Sequence, residues 1–326
     1  MSSGSCPPRW QYWDGRATLS LMEIAVLGTH PLRVGDGTPV RAASAVARLG
    51  DGWLVVQDDS THAVWWRGRS LEPLRILPPV DGHDTFEEAR GTKHLKPDLE
   101  AACEVFVDGR WGVLMLGSGS SPARMRAALV TVEDDQPVVV AADLTPVYAA
   151  MAAALEVTAE HLNMEGACVL GATLRWFHRG LPSAGLPTGS IDVSLRELLD
   201  AMLGSASCSQ VALRNRLTYD LGTVDGVGLA VTDAVTLRDG SVLVSTAAED
   251  TANPRDDGAV VGSTLVVLDG AQVIATATLP VLDHGVSKVE GLGLVEEHDS
   301  SARLIATVDA DDPEVPSLAL RLQISW

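Results

Sequence analysis

One short phrase recurs along this chain, headed four times by an acid. The copies are Leu99-Glu100-Ala101-Ala102-Cys103, Met164-Glu165-Gly166-Ala167-Cys168, Thr232-Asp233-Ala234-Val235 and Val289-Glu290-Gly291-Leu292-Gly293. A fifth copy, Ala43-Ser44-Ala45-Val46, carries Ser at the head. From Ser44 onward the steps between heads are 56, 65, 68 and 57 residues. A period of that size in a strand-rich chain marks a repeat architecture, because one such unit cannot bury its apolar face alone.

Each copy opens an apolar run, then a turn, then a second run. Examples are Gly50-Asp51-Gly52 before Trp53, Asp108-Gly109 before Trp111, and Arg238-Asp239-Gly240 before Ser241. Short β-rich runs joined by Asp-Gly turns are hairpin signals. Two further strands per unit are readable in His62–Arg67 with Leu71–Leu77, Arg126–Val132 with Pro137–Ala141, and Ser263–Leu268 with Gln272–Leu279. Four strands per unit describe a propeller blade. The last unit has only Ser317–Trp326 after its hairpin, and the N-terminal run 18–27 can supply the missing outer strand. The pattern predicts an all-β, five-bladed β-propeller closed by an N-terminal strand, with six blades as the runner-up. It forms one domain over 1–326, with 1–17 as an extension. Pro146–Leu162 and Leu195–Leu203 read as two short helical insertions, the second capped by Ser194.

If the repeats are blades around an axis, Ser44, Glu100, Glu165, Asp233 and Glu290 point into one central space. Acids brought together repel, and some take up protons. Three resolutions are open: a divalent cation among them, pairing with basic side chains, or one carboxyl kept protonated. Lysine usage bears on the second. Of 24 basic residues only three are Lys, and all lie beside the repeated acids: Lys93 and Lys96 before Glu100, and Lys288 before Glu290. In a chain that writes Arg elsewhere, a compact ammonium at these places points to a chemical need.

The formal net charge of −19 disfavours nucleic acid and anionic membrane as partners. No apolar run reaches the roughly 18 residues of a span, and the N-terminus lacks signal-peptide features. The four cysteines show neither metal nor CxxC spacing and read as reduced thiols. These features lead us to expect a cytoplasmic, monomeric protein acting on a small molecule.

The phrases Lys96-Pro97-Asp98-Leu99-Glu100-Ala101, Asn163-Met164-Glu165-Gly166, Ala230-Val231-Thr232-Asp233-Ala234 and Lys288-Val289-Glu290-Gly291, with Val308-Asp309-Ala310-Asp311-Asp312 and the stretch Ala248-Glu249-Asp250-Thr251 to Gly262-Ser263, resemble the phytase-like esterase propellers. They look closest to a bacterial group of that general type. A wider kinship with calcium-dependent propeller lactonases is implied. It would make Ca²⁺ the candidate cofactor, with Glu100, Glu165, Asp233 and Glu290 as ligands. Those lactonases use a mixture of Glu, Asn and Asp, whereas the axial set here contains no Asn and more carboxylate charge than one Ca²⁺ needs.

The candidate chemistry is hydrolase- or lyase-type acid/base catalysis by Glu100, Glu165 and Glu290 with Lys96 and Lys288, and with His178 as proton shuttle. The ends of the second strands add substrate-binding candidates. These are Asp59 with its neighbour Asp58, Trp176, Arg179, Glu249 and Asp309, joined by Ser44 and Lys93. The competing reading of His178 is a strand-end surface histidine. Cys103 and Cys168 read as small apolar groups between blades. The loop Gly117–Ser121 lacks the Lys of a phosphate cradle, and no Gly-x-Ser-x-Gly turn is present. The alternative for the whole chain is a non-catalytic binding or scaffold propeller with a structural Ca²⁺ or a water network on its axis.

Overall fold

The computed structural model describes residues 20–251, 258–282, 285–309, 312 and 314–326. Five sheets carry the chain, and their innermost strands are Ala43–Leu49, Leu99–Val107, Met164–Leu170, Val227–Thr236 and Val289–His298. Each touches the next, and the fifth touches the first, so the sheets close into a five-bladed propeller. Blades are numbered here by the order of these strands.

Tight turns make the hairpins. Asp108 and Gly109 both take positive φ (48° and 81°), the two-residue geometry whose twist matches the flanking strands. Successive side chains alternate between the two sheet faces, so each blade buries one face against each neighbour. Five apolar clusters result, one at each blade interface.

The ring closes where Glu23–Pro31 pairs antiparallel with Leu318–Ser325, as the outermost strand of blade 5. This strand begins later than the 18–27 read from sequence. Met22 is buried in the cluster between blades 4 and 5, and Ser20–Leu21 before it pairs with Ala275–Thr276 of blade 4. The N-terminal segment therefore ties two blades together and covers an edge that would otherwise invite pairing. Thr18 and the 1–17 extension lie outside the described residues.

The two helical insertions are α1 (Thr145–Leu155) and α2 (Leu195–Met202). Both bury an apolar face in the cluster between blades 2 and 3. α1 stops seven residues short of the expected Leu162 because Glu156 turns left-handed (φ 59°) and its N–H caps the helix on the Ala152 and Ala153 carbonyls. Ser194 stands at the N-cap of α2 but its side chain makes no capping bond. Among the described residues no helix is long and apolar enough to cross a membrane.

Each innermost strand carries a bulge at the head of the repeated phrase. The register slips at Ser44, Glu100, Glu165-Gly166, Thr232 and Glu290. A bulge leaves its extra residue unpaired and re-aims its side chain. The blade 4 equivalent of Ser44 is therefore Thr232, one residue before the acid singled out from sequence. In blades 3 and 5 the residue after the head is a tightly confined glycine. A Cβ on Gly166 would lie 2.5 Å from the Asp233 Cα, and one on Gly291 would lie 2.7 Å from the Ala45 Cα. These two glycines let the inner strands of blades 3 and 4, and of blades 5 and 1, approach closely.

Candidate functional site

Strands one and two of each blade run antiparallel, so the head of the first and the tail of the second meet at one end of the channel. The loop 76–98, which connects blades 1 and 2, folds over the same end. These segments line a cavity of about 80 Å³, formed chiefly by Glu100, Glu165, Glu290, Lys93, Lys96 and Lys288. All three lysines of the chain face this space. Ser44, Asp58, Asp98, Arg124, Asn163, Arg179 and Asp309 complete its polar lining.

Two charge networks occupy the walls. On the blade 3–5 side, Lys288 Nζ lies 2.8 Å from Glu290 Oε1 and 3.4 Å from Glu249 Oε2. Arg179 pairs with Glu249 through Nη2 and reaches Glu165 Oε1 at 3.4 Å. Asn163 Nδ2 donates to the same Glu165 oxygen at 2.8 Å. Glu249 also accepts the Gly258 N–H at 2.8 Å. Burial pushes the Glu290 carboxyl up to about 7, against the pull of Lys288. Burial likewise raises Glu165, with Arg179 and Lys288 opposing. The same two cations outweigh desolvation at Glu249 and hold it below its ordinary value.

On the blade 1–2 side, Lys96 Nζ bridges Asp58 Oδ2 (2.8 Å) and Asp98 Oδ1 (2.6 Å). Arg124 Nη1 lies 2.8 Å from Asp98 Oδ2, and the Ser118 hydroxyl donates to that same oxygen. Ser120 accepts from Arg124 at 2.9 Å. The Gly117–Ser121 loop is thus a support for this network. Gly119 within it has φ 72°, and a Cβ there would strike the Tyr148 ring. Despite its burial, Asp98 is held low by Lys96 and Arg124. Asp58 is raised, with burial outweighing Lys96.

Glu100 differs from its neighbours. Among the described residues it has no hydrogen bond and no ion pair, although it lines the cavity. Burial, then the charges of Asp98, Asp58 and Glu165, raise it well above its ordinary value and so favour its protonated form.

Several expected site residues sit elsewhere. Asp233 is fully buried (0 % exposed) and does not line the cavity. Its Oδ1 accepts the Ala234 N–H at 2.8 Å and its Oδ2 the Leu292 N–H at 2.7 Å, so it staples blade 4 to blade 5. Trp176 is also fully buried, edge-to-face on Tyr148 between blades 2 and 3, where no substrate reaches it. His178 lies behind the wall, its Nδ1 3.0 Å from the Asn163 carbonyl oxygen, and burial lowers its pKa. Neither lines the cavity, so the structure gives His178 no path as a shuttle and Trp176 none as a binding surface. Asp59 pairs with Arg41 and is raised by burial to about 6, in a chamber outside the channel. Glu249 acts through Arg179 and Lys288 from the second row. Cys103 and Cys168 are buried and line an apolar cavity of about 270 Å³ made by the lower parts of the same inner strands. Burial pushes the Cys168 thiol up to about 12 and Cys103 well above its ordinary value.

The four carboxylates taken from sequence do not form a cation site. Asp233 is spent on backbone N–H groups, while Glu165 and Glu290 already carry a guanidinium and an ammonium. One oxygen each of Asp58, Asp98 and Glu100 does come within 4.8 Å of the others. The Lys96 ammonium, however, already bridges Asp58 and Asp98 and supplies the charge a metal would bring. A divalent ion does not fit these residues as they stand.

Asp98, Arg124 and Asn163 were not among the residues picked from sequence, whereas Asp58 stood beside Asp59 at the end of its strand. Asp98 had a signal in its position between Lys96 and Glu100, and Asn163 in standing two residues before Glu165. Arg124 had none, because its role depends on the loop that brings it back.

Residues 92–313, more than half of the chain, match the model of a family described as "Family of unknown function (DUF6910)", and the chain belongs to that family. No curated protein matches in sequence. Among solved structures the chain is similar to the Myxococcus xanthus glutaminyl cyclase, at 10% identity and a TM-score of 0.47 over 94% of this chain and 99% of that one. It is similar also to MPT-4, a mannose phosphorylase from Leishmania mexicana (12%, TM-score 0.47, 91% and 88%). A putative gluconolactonase is a third (10%, TM-score 0.36, 84% and 70%).

Proposed function

We propose that this end of the channel is the active site of a small-molecule enzyme of hydrolase or lyase type. Glu100 is its proton donor, and Glu290, set by Lys288, its proton acceptor. The observation that carries this reading is that the Glu100 carboxyl lines the cavity without a partner among the described residues. Every other acid of the cavity is compensated: Asp58 and Asp98 by Lys96, Glu165 by Arg179 and Asn163, Glu290 by Lys288. Asp309 accepts the Ala42 N–H and the Ser317 hydroxyl. Glu100 alone has no partner for its carboxyl among the described residues, and burial favours the protonated form that can give a proton.

Two carboxyl groups with different protonation in one desolvated space are the arrangement that acid/base catalysis needs. Glu290, poised at about 7, changes charge near neutral pH, where a general base works best. Lys288 stabilises it when ionised. Glu165, held by Asn163 and Arg179, keeps these charges in place. The likeness of the repeated phrases to the phytase-like esterase propellers supports a hydrolase over a lyase.

The test is turnover of a panel of small esters, lactones and hydroxy acids by the wild-type protein and by Glu100→Gln. The amide keeps the shape and removes the proton, and turnover should fall about 10²- to 10⁴-fold. Full turnover in Glu100→Gln would overturn the assignment.

A further inference from the structure

Lys93 is the one cation of the cavity with no anion in ion-pair reach among the described residues. Lys96, Arg124, Arg179 and Lys288 each hold a carboxylate. Lys93 is nonetheless part-buried. It starts a 3₁₀ turn, Lys93–Leu95. The preceding Thr92 hydroxyl accepts the Glu87 N–H at 3.0 Å. The loop is further pinned where Phe86 N–H donates to the Asp59 carbonyl (2.9 Å) and Asp98 N–H to the Asp58 carbonyl (3.1 Å). A part-buried ammonium without a counter-charge is costly, so a site built to hold one is a site for an anion.

Its position says what kind of anion. Lys93 lines both the channel cavity and a wider chamber of about 340 Å³ outside it. The two spaces share Ala42, Asp58, Lys96 and Asp309 as well, so they form one cleft with Lys93 at the junction. The chamber wall combines Phe86 and Ala89 with the Arg41–Asp59 pair. Its acids are mostly engaged, Asp59 and Glu87 by Arg41 and Asp312 by the Glu314 N–H. Among the described residues that line the channel cavity, the charged or acidic groups without a partner are the Lys93 ammonium and the Glu100 carboxyl, whose burial favours the protonated, hydrogen-bond-donating form.

We propose that the substrate carries an oxyanionic group, a carboxylate or a phosphate, that seats on Lys93 where the channel meets the outer chamber. The reacting end enters the 80 Å³ cavity beside Glu100, and the body of the molecule occupies the chamber. This rests on the reading of the channel as an active site, which it deepens by naming the substrate class.

Binding of malonate and of inorganic phosphate to the full chain is measured by calorimetry, with turnover followed separately. We expect one of the two to bind, and the tighter one identifies the oxyanion. Lys93→Gln should weaken it at least 10-fold, Lys93→Arg should restore most of the affinity, and Glu100→Gln should change it by no more than a few fold. Absence of binding by either anion, or undiminished binding in Lys93→Gln, overturns the proposal. The two readings fail separately. Turnover lost in Glu100→Gln without any anion binding keeps the catalytic assignment and rejects the oxyanion, whereas Lys93-dependent binding with full turnover in Glu100→Gln does the reverse.

Discussion

The Thr232 hydroxyl donates to the Val289 carbonyl at 2.6 Å, one residue before Glu290. Ser44 makes the same bond to the Leu99 carbonyl, also at 2.6 Å and one residue before Glu100. In two blades, then, the repeated position is a hydroxyl that fixes the backbone under the next blade's glutamate. The axial ring reads hydroxyl, Glu, Glu, hydroxyl, Glu.

That bond is buried, and removing the hydroxyl leaves the Val289 carbonyl without it. Thr232→Val keeps the shape and should cost about 1–3 kcal/mol in urea unfolding, with Thr232→Ser recovering most of it. If Glu290 depends on this bond for its placement, Thr232→Val should also lower turnover while Thr232→Ser spares it. Unchanged stability in Thr232→Val would show that the bond contributes nothing.

The close approach at Gly166 gives a second expectation. A methyl there meets the Asp233 backbone at 2.5 Å, and backbone cannot rotate away. Gly166→Ala should therefore destabilise by about 1–3 kcal/mol or more. Gly35→Ala, where a Cβ meets nothing within 4 Å, should stay within about 0.5 kcal/mol. Equal midpoints for the two variants would contradict the packing argument.

Much of this arrangement was readable beforehand, because a fold built by repetition writes its period into the chain. The blade count, the closing strand, and the gathering of the three lysines with Glu100, Glu165 and Glu290 all followed from spacing. Asp233 was misassigned because the acid of blade 4 stands one residue after the bulged head, and which of Thr232 and Asp233 takes the bulge is a backbone event that the sequence does not announce. Trp176 and His178 were misplaced for a different reason. Their strand does end at the site, but alternation turns Trp176 into the blade interface, and His178 is held behind the wall by Asn163. Arg124 was invisible because only the tertiary path of its loop brings it to Asp98.

Stability should depend on pH in a direction set by the raised carboxyls. With a folded value of about 7 against an ordinary 4.5, Glu290 binds more protons in the folded state than in the unfolded state between those values. Its contribution is therefore fully present below about 4.5 and is lost as pH rises through 7. Glu100, Glu165 and Asp233 shift the same way, while His178 and His62, lowered by burial, oppose them below about 6.5 and Asp98 and Glu249 oppose them at lower pH. The urea midpoint should be higher at pH 5.5 than at pH 7.5, and Glu290→Gln should shrink the difference. A midpoint that rises between these two pH values would reverse the sign and contradict the assignment.

Lys96 gives the most discriminating experiment, because it stands where a metal would. Its ammonium bridges Asp58 and Asp98, and those two with Glu100 place an oxygen each within 4.8 Å of one another. With Lys96 present, a Ca²⁺ ion would meet a second cation and carboxylates already compensated, so millimolar Ca²⁺ and a chelator should both leave the wild-type Tm unchanged. Lys96→Met removes the ammonium and leaves buried acids facing each other, which should lower Tm sharply. Those acids are the oxygen ligands a hard cation prefers. Ca²⁺ should therefore stabilise Lys96→Met, by about 2.7 kcal/mol at a hundredfold excess over Kd. A wild-type protein stabilised by Ca²⁺, or a Lys96→Met variant indifferent to it, would show that the ammonium is not the cation of this site.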